Sequence, residues 1–96
     1  MKVTFTTRHF EPTEALKERI NKKLGRLDKF GRIDHLEVVL ELDGRIRKAE
    51  LIAKLRHEVL TAKGEDHNIY NAFLTAYRKL EHQLRNYEER ITSHHK

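Results

Sequence analysis

The sequence predicts an α+β fold of order β-α-β-β-β-α: a four-stranded mixed sheet with two helices packed on one face. Three observations carry this. Apolar residues recur at helical spacing in two separate stretches, they recur at period two elsewhere, and each stretch has a single apolar side. Elements with one apolar side bury it most economically in two layers, so both helices fall on the same side of one sheet.

The first strand is marked by Val3, Phe5 and Thr7 alternating with Lys2, Thr4 and Thr6. Thr13, after Glu11-Pro12, has the side chain of an N-cap, and Glu14 suits the positive end of a helix dipole. Leu16, Ile20, Leu24 and Leu27 then repeat at four, four and three, which predicts a helix over about residues 14–30. Gly25 within it costs about 1 kcal/mol relative to Ala, which suggests a close contact there. Gly31 is the expected C′ residue.

From Leu36 the period becomes two. Leu36, Val38, Leu40 and Leu42 alternate with His35, Glu37, Val39 and Glu41. Asp43-Gly44 signals a type I′ hairpin, and beyond it Ala49, Leu51, Ala53 and Leu55 alternate with Lys48, Glu50, Ile52 and Lys54. A tight turn at Arg56-His57 leads to a short strand over about residues 58–63, and residues 64–68 form a loop. Asn68 caps a last helix with Ile69, Phe73, Ala76, Tyr77, Leu80, Leu84, Tyr87 and Ile91 on one side. A right-handed crossover through the first helix makes strands one and two parallel. The far sheet face carries Glu37, Val39, Glu41, Glu50, Ile52 and Lys54 and is expected to be solvated. Val39 and Ile52 would form a small apolar patch there, which leaves a protein-interaction module open as one reading.

The chain of 96 residues fits one domain, residues 1–96. Hydrophobic residues at 38% and charged residues at 36% describe a soluble, heavily charged globular protein. No apolar run approaches the roughly 20 residues that span a bilayer, and MKVTFTTRH lacks the apolar segment of a signal peptide. With no cysteine, disulfides, thiolate zinc sites and thiol nucleophiles are excluded. A cytoplasmic location without membrane contact fits all of this. There is no Gly-rich phosphate loop and no HExxH motif. His9, His35, His57, His67 and His82 are scattered, and only His94 and His95 adjoin. No enzyme, cofactor, metal site or small-molecule substrate is expected, apart from adventitious metal binding by that terminal pair.

The net charge of +5 favours a polyanionic partner. On a wheel of about 100° per residue with Ile20 at zero, Arg19, Lys22, Arg26 and Lys29 lie between about 180° and 260°, with Lys23 on their flank. On the last helix, with Leu80 at zero, Arg78, His82 and Arg85 lie between about 140° and 200°, and Lys79 and Arg90 near 260° and 280°. Glu14, Glu18, Asp28, Glu81 and Glu88 mostly occupy the other flanks, and Glu89 falls on the outer face. Each helix therefore presents a basic ridge suited to phosphate backbones, with an ordinary solvated face as the alternative. Large apolar residues for membrane insertion are missing from these ridges. Tyr77 and Tyr87 read as core or rim. Tyr70, at about 80°, reads as packing or as a base-stacking platform.

The run IYNAFLTAYRKLEHQLRNYEERI resembles the last helix of the ribosome hibernation-promoting factors, also called ribosome-associated inhibitors or sigma-54 modulation proteins. The matching positions are Asn68, Ile69, Tyr70, Ala72 and the block Lys79-Leu80-Glu81-His82-Gln83-Leu84. EPTEALKERINKKLGRLDKF is similar to that family's first helix, and the element order is the same. The departures are Asn68 for the more usual Asp, His82 where Arg or another polar residue is common, and a tight Asp43-Gly44 hairpin. The resemblance implies binding to the small ribosomal subunit, in the channel of messenger RNA and transfer-RNA anticodon stems. It implies rRNA contacts through basic side chains of the helices, blocked initiation and protection of idle ribosomes. Together with the two wheels, this makes Arg19, Lys22, Lys23, Arg26, Lys29, Arg78, Lys79, His82, Arg85 and Arg90 the expected RNA-contacting residues, and a monomer in isolation is expected. The chain, which stops soon after the last helix, resembles the short form of the family or the first domain of a long form. Strands two to four plus the last helix also resemble the double-stranded-RNA-binding fold, so a generic duplex-RNA module is the alternative.

Overall fold

The structure, a computed structural model, describes residues 1–93. Its order is strand β1 (Lys2–Arg8), helix α1 (Glu14–Leu24), a 3-10 segment (Gly25–Phe30), strands β2 (Ile33–Asp43), β3 (Ile46–Leu55) and β4 (Val59–Asp66), and helix α2 (Ile69–Ser93). The sheet order is β1-β2-β3-β4. β1 runs parallel to β2, as a crossover through α1 demands, and the other two pairings are antiparallel.

The caps follow the sequence. Thr13 Oγ1 accepts from the Leu16 amide at 3.1 Å, and Asn68 Oδ1 from the Asn71 amide at 3.0 Å. Gly31 closes the first helical stretch in the left-handed region at φ 62°. One side of the sheet contributes Leu36, Val38, Leu40, Ala49, Leu51 and Ala53 to a single core with Ile20 and Leu24 of α1, Leu27 of the 3-10 segment, and Phe73, Ala76, Leu80 and Leu84 of α2. Both helices therefore cover one face.

Four local expectations are corrected. α1 stops at Leu24, and Leu27 reaches the core from the tighter 3-10 segment. Gly25 marks that change of winding rather than a close approach, since a Cβ there would meet nothing within 4 Å. The close approach is at Gly64, which lies in β4 rather than in a loop; a Cβ there would collide with the Ala72 carbonyl oxygen and lie 2.8 Å from the Ala76 nitrogen. The hairpin turn is Gly44-Arg45, between the paired Asp43 and Ile46. Only Gly44 is left-handed there, at φ 64°, which is the type II′ pattern and not type I′.

On the far sheet face the expected patch of Val39 and Ile52 is not open to solvent, and Val59 of β4, at 56% exposure, is the apolar side chain that stands out there. Val39 is buried at 8% exposure and Ile52 half-buried. Arg8, Glu41, Lys48 and Glu65 form one row of alternating sign across the four strands. In it Arg8 lies 3.9 Å from Glu41 and Lys48 lies 4.0 Å from Glu65. Lys48 also bonds Asp43 at 3.0 Å, which raises the pKa of its ammonium. Nearby, Thr6 Oγ1 donates to Glu37 at 2.7 Å. This face is close to charge balance.

Candidate nucleic-acid interface

α1 and its 3-10 continuation hold six basic and three acidic side chains, and α2 four and three, so the helical layer carries most of the excess positive charge. The two helices meet along α1's inner flank. The Arg19 guanidinium sits 3.7 Å from the centroid of the Tyr70 ring, and Lys23 Nζ 5.0 Å from that of Tyr77. Near the other end Lys29 Nζ lies 3.7 Å from Glu81. These contacts set α1 and α2 side by side along one seam, here called the cleft, in which cations of α1 lie over Tyr70 and Tyr77.

Tyr70 is accounted for as packing: Arg19 covers one side of its ring, and Phe73 lies 5.5 Å away, centroid to centroid. Tyr77 is 3% exposed, and its hydroxyl has no hydrogen-bond partner among the described residues. Burial first, then the Glu81 charge, pushes its pKa above the ordinary tyrosine value, while Arg26 and Arg85 pull the other way.

The expected contact residues divide into three groups. Lys22, Arg26, Arg78 and His82 are exposed and make no hydrogen bond or ion pair with another described residue. Arg19, Lys23, Lys29 and Arg85 border the cleft and are engaged. Lys29 and Arg85 share one carboxylate, with Arg85 at 3.5 Å from Glu81. Lys79 and Arg90 stand on α2's opposite flank. Lys79 Nζ donates to the Lys63 carbonyl at 2.9 Å, and Arg90 lies 3.4 Å from Glu58. Gln83, one turn beyond Lys79, donates to the Thr61 carbonyl at 2.9 Å. Lys79 and Gln83 thus cap outward carbonyls on the β4 edge, a protective arrangement for an edge strand.

Sequence reading missed the position of Glu81. A single-helix wheel puts it on the flank away from the α2 ridge, but that flank faces α1, so the carboxylate lies inside the basic cleft. The signal was present in Glu81 and Arg85 at i and i+4, but their partner on the other helix was not readable. Among the described residues no group of three or more histidine or carboxylate side chains is placed to hold a metal, and no helix is long and apolar enough to cross a membrane. His94 and His95 lie outside the described residues.

Known proteins resemble this arrangement over nearly its full length. A ribosome hibernation promoting factor of Pseudomonas putida is 26% identical over 94 residues, covering 97% of this chain and 92% of that protein. A ribosomal subunit interface protein from Coxiella burnetii superposes with a TM-score of 0.86 at 23% identity, over 93% of this chain and 99% of that one, a likeness of fold. The N-terminal domain of Protein Y from Thermus thermophilus gives a TM-score of 0.81 at 29% identity, over 91% and 99% of the two chains. The family model of the sigma 54 modulation protein / S30EA ribosomal protein family matches residues 3–92, and this chain belongs to that family.

Proposed function

We propose that this protein is a cytoplasmic translation inhibitor of the hibernation type, a binding protein rather than an enzyme. In this reading residues 1–96 act as one ribosome-binding domain, monomeric on its own, that docks on the small ribosomal subunit and keeps idle ribosomes out of translation. The contact surface is the paired ridge Lys22, Arg26, Lys29, Arg78, His82 and Arg85, with Arg19 and Lys23 in the cleft behind it. It lies against rRNA in the channel that messenger RNA and anticodon stems otherwise occupy. Lys79 and Arg90 belong to the β4 flank and act as supports.

The observation that carries this reading is the pair of adjoining helices whose outer cations, Lys22, Arg26 and Arg78, have no partner among the described residues. Guanidinium and ammonium groups left unpaired in a row gain most from a polyanion, because binding releases its condensed counterions. They read backbone shape and charge rather than base sequence.

The test is co-sedimentation with purified small subunits on a sucrose gradient. Wild type should travel with the subunit. The triple variant Arg26→Glu, Arg78→Glu, Arg85→Glu should stay at the top while keeping its far-ultraviolet circular dichroism. Co-sedimentation of that variant removes the helix surface as the interface. Equal affinity of wild type for a free RNA duplex and for the subunit would favour the generic duplex-binding module.

A further inference from the structure

The Glu81 carboxylate stands between two cations from different elements, Lys29 of the 3-10 segment at 3.7 Å and Arg85 of α2 at 3.5 Å. Its side chain is 21% exposed, against 57% and 56% for its two partners, so the anion sits low in the cleft and the cations above it. One turn earlier lies Tyr77, whose hydroxyl has no acceptor among the described residues.

We infer that Glu81 is an internal substitute for an RNA phosphate, holding Lys29 and Arg85 where a phosphate of bound rRNA takes the carboxylate's place. This rests on the reading of the helical layer as an RNA surface. A carboxylate and a phosphodiester each carry one negative charge and offer two unesterified oxygens to donors. In the free protein the carboxylate offsets the repulsion between two neighbouring cations and keeps their side chains poised across the cleft. When the phosphate arrives, the cations exchange one anion for another, with no bond made or broken. Glu81 then turns outward to solvent.

A substitute of this kind competes with its ligand, so removing its charge should strengthen binding. Glu81→Gln keeps the size and polarity of the side chain. It should bind small subunits about fivefold more tightly at about 0.1 M salt, the scale of one partly exposed ion pair. Glu50→Gln removes the same charge from the opposite sheet face and should bind as wild type does. In an Arg85→Gln background the gain from Glu81→Gln should shrink, since one of the two competing pairs is already gone. If Glu81→Gln binds no better than Glu50→Gln while the Arg26, Arg78, Arg85 charge-reversal variant loses binding, the substitution model is overturned and the RNA surface stands. If the charge-reversal variant still binds, the surface reading itself falls and takes this inference with it. Thermal melting of each variant separates loss of fold from loss of contact.

Discussion

Tyr77 shows how a single side chain can serve packing at a polar cost. Its ring fills space against Phe73, 6.0 Å away centroid to centroid, and carries Lys23 above it. Its buried hydroxyl forfeits the water it would bond in the unfolded chain, and such a loss costs about 1–3 kcal/mol. Tyr77→Phe should therefore leave stability unchanged or raise it by about 1 kcal/mol, measured by urea denaturation. The pKa direction gives a second readout. The folded-state pKa lies above the ordinary value, so the unfolded chain loses this proton first. The contribution is fully present below the ordinary tyrosine range and declines as pH rises through and beyond it. Wild type should lose stability above about pH 10, and Tyr77→Phe should lose less over the same interval. Identical alkaline profiles would show that the hydroxyl is not buried as described.

Two glycines separate what an element needs locally from what its neighbour demands. Gly25 has an ordinary helical φ of −56° and open space where a side chain would go. Gly25→Ala should thus be neutral or stabilise by up to about 1 kcal/mol, through reduced freedom of the unfolded chain. Gly64 presses directly on the backbone of α2 at Ala72 and Ala76. Gly64→Ala should force the helix off the sheet and cost about 1–3 kcal/mol. A chemical-denaturation comparison of the two variants checks both signs at once. Because α2 carries Arg78 and Arg85, displacing it should also weaken small-subunit binding, while Gly25→Ala should not.

Across the whole molecule the charges are sorted by layer. The open sheet face pairs its own charges strand by strand, in the Arg8, Glu41, Lys48, Glu65 row, while the helical layer leaves Lys22, Arg26 and Arg78 without partners among the described residues. Such a molecule has one side that attracts polyanions. Its affinity for small subunits should fall linearly on a log–log plot against salt, with a slope set by the number of phosphates engaged. Arg78→Ala should reduce that slope by about one unit. Lys79→Ala should leave it unchanged, since Lys79 is spent on the Lys63 carbonyl at the β4 edge. A matching slope loss for both would place the interface across α2 as a whole rather than in the cleft with α1.

What the sequence determined by itself was local and periodic. Alternation at Leu36, Val38 and Leu40, the stripe Leu16, Ile20 and Leu24, the caps Thr13 and Asn68, and Gly31 each depend on residues a few positions apart, so element order, core face and sheet layering were legible. The basic ridges were legible as angles on two separate wheels. Tertiary structure alone decided which flank of each helix meets the other. That choice brought Arg19 onto Tyr70 and Glu81 between Lys29 and Arg85, and it carried Lys79 and Arg90 away to the sheet edge. It also decided that Gly64, and not Gly25, is the close approach. The reason is physical: periodicity reports which side of an element avoids water, while the rotation and offset of one element on another follow from how their side chains interlock. Residues distant in sequence but adjacent in space settle that only once the chain is folded.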